Sequence, residues 1–129
     1  MKVYIASRTS EREEVKRLNT LLSQKGFEVL DWTWHMPTKP YDEHKDIALQ
    51  YSLEDVQMVK ECDLFILLTT ETPGSGSTTE FGMALLSYEL FKKPNIYVVG
   101  KHINNMFFFH PGVKMVQTSD ELLTILEAL

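Results

Sequence analysis

The sequence predicts an α/β domain built on a five-stranded, mainly parallel sheet with helices on both faces. Three observations carry that reading. Short apolar runs bounded by turn residues alternate with stretches whose apolar residues recur every three or four positions. The run Asp63-Leu64-Phe65-Ile66-Leu67-Leu68-Thr69-Thr70 is apolar without alternation, as in a strand buried on both faces. The length of 129 residues, 43% hydrophobic and 24% charged, suits a single domain over 1–129 with a sizeable core. The class follows from this alternation, and the strand order does not.

Val3 to Ala6 opens the chain as a short apolar strand. Ser10 and Glu13 then have the spacing of a capping box, predicting a helix with Val15, Leu18, Leu21 and Leu22 on its apolar face. Gly26 ends that helix, and Phe27 to Leu30 reads as the second strand. Asp31 to Tyr41 has no periodicity, yet it holds Trp32, Trp34, His35, Met36 and Tyr41. Two readings of it stand side by side. One is a flap whose Trp32 and Trp34 faces stack on a flat ligand such as a nucleobase. The other is a loop that buries its own aromatics. Asp46 to Lys60 is predicted helical, with Ile47, Leu49, Tyr51, Leu53, Val56 and Val59 as its apolar members and Asp55 in its second half.

The Asp63–Thr70 strand leads into Pro73-Gly74-Ser75-Gly76-Ser77-Thr78-Thr79-Glu80, a small-residue loop passing into a helix. Phe81, Leu85 and Tyr88, with Phe91 as a further candidate, share one face of that helix. Open α/β sheets bind ligands at such a place, at the carboxyl ends of the strands. The loop's amides and hydroxyls, with the helix N-terminus, suit an anion. Ser7 and Arg8 follow the first strand at the same end of the sheet. Arg8 there is either a phosphate or carboxylate ligand or a surface arginine without a partner. Glu80 is either favourable dipole chemistry or a carboxylate kept ionised by the helix end, ready as a nucleophile or ribose binder.

Lys93-Pro94 breaks the chain before another buried strand, Asn95 to Val99. Met106 to Phe109 is strongly apolar, either core or an exposed patch that pairs subunits. Val113 to Val116 reads as the last strand. A final helix, capped by Ser119, would pack through Leu122, Leu123, Leu126 and Leu129.

A net charge of −5 with no Lys/Arg run argues against nucleic-acid polymers and anionic membrane surfaces. Cys62 is the single cysteine, so an internal disulfide and a cysteine-rich zinc site are excluded, and it reads as a small core residue. His35 and His44 lack a third ligand at metal-binding spacing, so no metal is expected. No signal-like segment precedes the first strand and no apolar run approaches bilayer length, so a cytoplasmic location is expected.

Taken together, several of these segments resemble the nucleoside 2-deoxyribosyltransferase superfamily, which includes the deoxynucleoside 5′-monophosphate N-glycosidases. They are the opening Val3-Tyr4-Ile5-Ala6-Ser7, Asp55 with Asp63 eight residues on, the Pro-Gly-Ser loop before Glu80-Phe81-Gly82-Met83-Ala84, and Lys93-Pro94-Asn95-Ile96-Tyr97. The resemblance spans roughly Val3 to Val99. It implies a flavodoxin-like or Rossmann-like three-layer fold, a homodimer or larger homo-oligomer, no cofactor, and cleavage of the N-glycosidic bond of a small nucleoside or nucleotide. It assigns Glu80 as the nucleophile, Asp55 as the partner in proton transfer with the base, and Asp63 as a structural group. It places Ser7, Arg8, Gly76 and Ser77 at sugar or 5′-phosphate contacts. Tyr4, Gly74 and Ser75, and the flap's Trp32 and Trp34, are counted with them as substrate-binding candidates. The chain departs from the family pattern at Thr78-Thr79, where close relatives often carry Gly and an aromatic. Asn104, Asn105 and His110 are candidates for the residues that reach a neighbouring subunit's site.

Besides transfer or hydrolysis by a glycosyl-enzyme, two other classes fit parts of the chain. A non-catalytic nucleotide sensor would use the loop but not Asp55 and Glu80 together. A flavodoxin-like electron carrier would place its phosphate loop after the first strand, whereas here it follows the central one.

Overall fold

The computed structural model of the protein describes residues 1–128. Five strands pair entirely in parallel in the order β2-β1-β3-β4-β5, where β1 is Lys2–Ala6, β2 Glu28–Val29, β3 Leu64–Leu68, β4 Asn95–Val99 and β5 Val113–Val116. Val3 lies opposite Leu64 and Ile66 opposite Tyr97, so β1, β3 and β4 form the centre. Their side chains are almost wholly buried on both faces, which is why these strands read as unbroken apolar runs. The edge strand β2 is shorter than the predicted 27–30: it is paired only at Glu28 and Val29, and only on its β1 side.

Four helices complete the three layers: α1 (Arg12–Gln24), α2 (Lys45–Glu61), α3 (Ser75–Phe91) and α4 (Ser119–Glu127). Helices α1 and α4 share one face, joined by a Lys25–Glu127 ion pair, and α2 and α3 pack together on the other. Right-handed crossovers require this split once the chain winds outward from β1 in one direction and from β3 in the other. Among the described residues, no helix is long and apolar enough to cross a membrane.

Several local expectations are corrected. Ser10 does not cap α1: a 3-10 turn at Thr9–Glu11 precedes the helix, and its first residue follows Glu11 with no side-chain cap bond. The cap of α4 is Thr118 rather than Ser119, its hydroxyl accepting from the Glu121 amide at 3.1 Å. Leu122 and Leu126 pack inward from α4 as expected, and Leu129 lies outside the described residues. Helix α3 starts inside the small-residue segment, at Ser75, so the connecting loop is shorter than predicted. Phe91 leaves the α3 packing face and is exposed.

The largest difference concerns α2. Of its predicted apolar members only Val59 is buried, while Ile47, Leu49, Leu53 and Val56 are exposed. The inward face instead carries Tyr51, Asp55, Met58 and Val59, positions spaced as one helical stripe. In the Met106–Phe109 segment, a 3-10 turn, only Phe108 is core, edge-on to Phe81 at 5.4 Å; Met106, Phe107 and Phe109 are exposed. Cys62 is fully buried with its thiol pushed up to about 12 by desolvation, as a core residue should be.

Candidate active site

The chain's winding reverses between β1 and β3, so the loops after these two strands diverge and leave a crevice at the carboxyl end of the sheet. The candidates Ser7, Arg8, Gly74 and Ser77 lie together at that crevice. Arg8 donates from Nη1 to the Thr72 carbonyl at 2.8 Å, pinning the loop after β3 to the loop after β1. Ser7 is buried, its hydroxyl donating to the Arg8 carbonyl at 2.8 Å. Gly74 lies under this bridge: a Cβ there would come within 2.8 Å of Arg8 Cγ and 2.9 Å of Ser77 Oγ. The close approach, and not a special backbone angle, calls for glycine. Ser77 Oγ and Thr78 Oγ1 both donate back to the Gly74 carbonyl, at 3.2 and 2.7 Å. The first helical amide bond runs from Thr78 to Gly74, which leaves the amides of Ser75, Gly76 and Ser77 free of helical partners at the mouth of the crevice.

Beneath this mouth, on the α2/α3 face, lie two carboxyls. Glu80 is the sixth residue of α3 and is 9% exposed. Its Oε2 accepts from the Tyr4 hydroxyl at 2.8 Å, and its carboxyl faces that of Asp55, carried inward by α2. The geometry corrects the expectation that the helix end keeps Glu80 ionised. Glu80 lies beyond the first turn, where the dipole has faded, and its pKa is raised to about 8 by burial, with the neighbouring Asp55 charge adding to the rise and the Tyr4 hydrogen bond opposing it. Asp55 is also raised by burial, partly offset by His35 and by the bond to Glu80. The two carboxyls thus titrate as one pair, both shifted upward by burial. Tyr4 itself titrates well above the ordinary tyrosine range because it is buried against Glu80.

Among the described residues Tyr4 is the one neutral hydrogen-bond donor to Glu80, and its removal has a defined sign. In Tyr4→Phe the ionised form of Glu80 should lose about 2 kcal/mol of stabilisation, moving the Glu80 titration upward. A carboxyl carbon NMR titration of the Tyr4→Phe variant reads this directly.

The aromatic loop divides between its two readings. Trp32 is buried at 6% exposure and its indole N–H is spent on the Ile5 carbonyl, so it anchors the loop to the end of β1 and offers no open face for stacking. Trp34 is exposed at 56%, its N–H on the Asp31 carbonyl at 2.9 Å and its ring edge-on to His35 and Tyr51. Asp63 stands at the opposite, amino end of β3. It accepts from the Lys2 amide at 2.8 Å and pairs with Lys93 at 3.0 Å, and these bonds hold its carboxyl below the usual range. Asn104 donates to the Thr70 carbonyl at 3.0 Å, Asn105 accepts from the Phe107 amide, and His110 bonds Glu89 at 2.6 Å, so each makes its contact within its own chain.

Three neighbours of Asp55 were not legible as site residues: His35, Tyr51 and Glu54. His35 lies flat on Tyr51, ring centroids 3.8 Å apart, with Nδ1 3.9 Å from Asp55 Oδ1 and Nε2 3.4 Å from Glu54 Oε2. Only the Tyr51–Asp55 spacing, one turn along α2, signals in sequence that these groups share a face.

No protein-family model matches the sequence, and no curated protein does. Among solved structures, the chain is similar to the CMP N-glycosidase BcmB of Clostridium botulinum, with a TM-score of 0.69 and 21% identity over 100% of both chains. That likeness fixes the architecture: the chain has a three-layer, flavodoxin-like α/β fold from one end to the other.

Proposed function

We propose that this protein is an enzyme that cleaves the N-glycosidic bond of a nucleoside or nucleotide, with Glu80 as nucleophile and Asp55 as proton carrier to the base. The observation that carries this reading is the buried Glu80–Asp55 carboxyl pair, with the Tyr4 hydroxyl on Glu80, set below an anion-suited crevice. The chemistry needs one proton held between the two. As the bond to the base breaks, positive charge grows on the sugar, and an ionised Glu80 stabilises and traps it. The departing base takes up an electron pair and needs a proton. Transfer of the shared proton from Glu80 to Asp55, and from Asp55 to the base nitrogen, meets both needs in one movement. Glu80 then forms a glycosyl ester, and attack by water, with Asp55 accepting its proton, releases the sugar with retention. Attack by a second base gives transfer instead.

The crevice favours a 5′-phosphorylated substrate. The Arg8 guanidinium, with Nη2 beyond its bond to Thr72, and the amides of Ser75, Gly76 and Ser77 free of helical partners lie at this end of the sheet, donors that a phosphate would satisfy. The similar enzyme from Clostridium botulinum is named for CMP, a 5′-monophosphate, which supports the same choice. A homo-oligomer belongs to this reading, and the exposed Leu49, Leu53, Val56, Leu86 and Leu90 of α2 and α3 give it apolar surface to pair through.

The test is product analysis on a panel of ribo- and deoxynucleosides and their 5′-monophosphates, with and without a second free base. Free base released from monophosphates, at least about 100-fold faster than from the unphosphorylated nucleosides, is the expected result. A new nucleoside formed in the presence of the second base would make it a transferase. Tight nucleotide binding with no turnover would leave a sensor and overturn the catalytic reading.

A further inference from the structure

Among the described residues, four buried side-chain atoms have no hydrogen-bond partner, and three of them cluster around one imidazole: His35 Nε2, Glu54 Oε2 and Asp55 Oδ1. Buried polar atoms are normally paired, so such a concentration needs a reason. His35 Nε2 faces Glu54 Oε2 at 3.4 Å and Nδ1 faces Asp55 Oδ1 at 3.9 Å, close but short of bonding geometry. The ring cannot rotate freely to escape. Tyr51 stacks under it at an interplanar angle of 4°, Trp34 closes its edge at 4.6 Å, and the Arg12 guanidinium holds its backbone carbonyl at 3.0 Å. The groups facing the imidazole are thus Tyr51, Glu54 and Asp55 from α2 and Trp34 from its own loop.

We propose that Glu54 is a positioning residue of the active site, acting on Asp55 through His35. This rests on the reading of Asp55 as proton carrier. A neutral imidazole has one N–H, and which nitrogen bears it is set by the partner of that nitrogen. Glu54 is the nearer acceptor, 3.4 Å from Nε2 against 3.9 Å between Nδ1 and Asp55, so it draws the proton to Nε2. Nδ1 is then left bare toward Asp55, ready to accept from that carboxyl once it takes the proton from Glu80. A small approach that closes the 3.9 Å gap makes this bond, and it orients the protonated Asp55 carboxyl for delivery to the base. Without Glu54 the ring is free to carry its proton on Nδ1 instead. A protonated Asp55 then has no acceptor in His35.

The experiment compares wild type with Glu54→Gln and Glu54→Leu. Glutamine keeps an acceptor oxygen, and leucine keeps the bulk without one. Imidazole ¹⁵N NMR of the free protein, with His35 assigned by a His35→Asn variant, reads the tautomer without any substrate. Wild type and Glu54→Gln should show protonated Nε2, and Glu54→Leu a mixture or a shift to Nδ1. In steady-state assays Glu54→Leu should lose about tenfold or more in kcat, at the low end for a general acid-base contribution, with KM within about twofold because Glu54 touches no substrate. Glu54→Gln should recover most of kcat. An unchanged tautomer in Glu54→Leu overturns the proposal, as does an unchanged kcat. If wild type cleaves nothing, the function proposed above falls, and the NMR comparison still decides whether Glu54 sets the ring.

Discussion

Glu80→Ala should abolish base release, by at least about 10⁴-fold in kcat, as the removal of a covalent nucleophile does, while the protein stays folded. The side chain being removed is buried, accepts from Tyr4 and faces Asp55, so the variant gives up some stability, but the core of α3 is carried by Phe81, Ala84 and Leu85 and keeps the fold. The loss would therefore be chemical and not structural, and a melting curve beside the rate measurement separates the two. Nucleotide affinity, measured by calorimetry, should persist because the phosphate-suited donors at Arg8 and the start of α3 are untouched. A variant that still turned over at a tenth of the wild-type rate would dismiss Glu80 as the nucleophile.

The second large effect is on stability against pH. Glu80 ordinarily titrates at 4.5 and is raised to about 8 in the fold. A carboxyl that binds its proton more tightly folded than unfolded stabilises the fold fully below 4.5, and that contribution is lost as pH rises through about 8. The contribution is on the order of several kcal/mol for a shift of this size. Urea unfolding from pH 5 to pH 9 should show it as a falling midpoint. In Glu80→Gln, where the amide oxygen still accepts from Tyr4 and the amide nitrogen faces Asp55, the fall should be much reduced. Asp63 works in the opposite sense, its lowered pKa adding stability that disappears only toward acid. Asp55 is raised with Glu80 and Cys62 enters near pH 9, so the Glu80→Gln comparison is what assigns the fall to Glu80. Turnover should decline over the same alkaline range, because a pair that has lost its proton has none for the base.

Much of this was readable in the chain, and the reasons for what was not are local. Strands such as Leu64–Leu68 and Asn95–Val99 announce themselves because burial on both faces leaves no polar position. Glu80 and Asp55 were legible as candidates from the loop and the spacing around them. The state of Glu80 was not. Its distance from the helix end and the approach of Asp55 are tertiary facts, and burial outweighs the dipole. Helix α2 misled for a related reason: its inward face is partly polar because it carries Tyr51 and Asp55 to the site, so apolar periodicity picked out Leu49, Leu53 and Val56, which face away. His35 and Glu54 sit in a loop and on a helix with no shared pattern, and only folding brings them together.

The all-parallel sheet also dictates when the site can come into being. Tyr4 and its acceptor Glu80 are 76 residues apart, and the Lys2 amide waits for a carboxylate 61 residues downstream. With no hairpin in the sheet, β1 has only the edge strand β2 to pair with until β3 has been made and has returned beside it. Folding must close these long loops before strand pairing compensates the lost chain entropy, which makes for a slow, late nucleus. During synthesis, Tyr4 emerges 76 residues ahead of Glu80 and must wait for it. The Glu80–Asp55 pair is thus a property of the completed sheet, with no earlier, partly formed version from which to act.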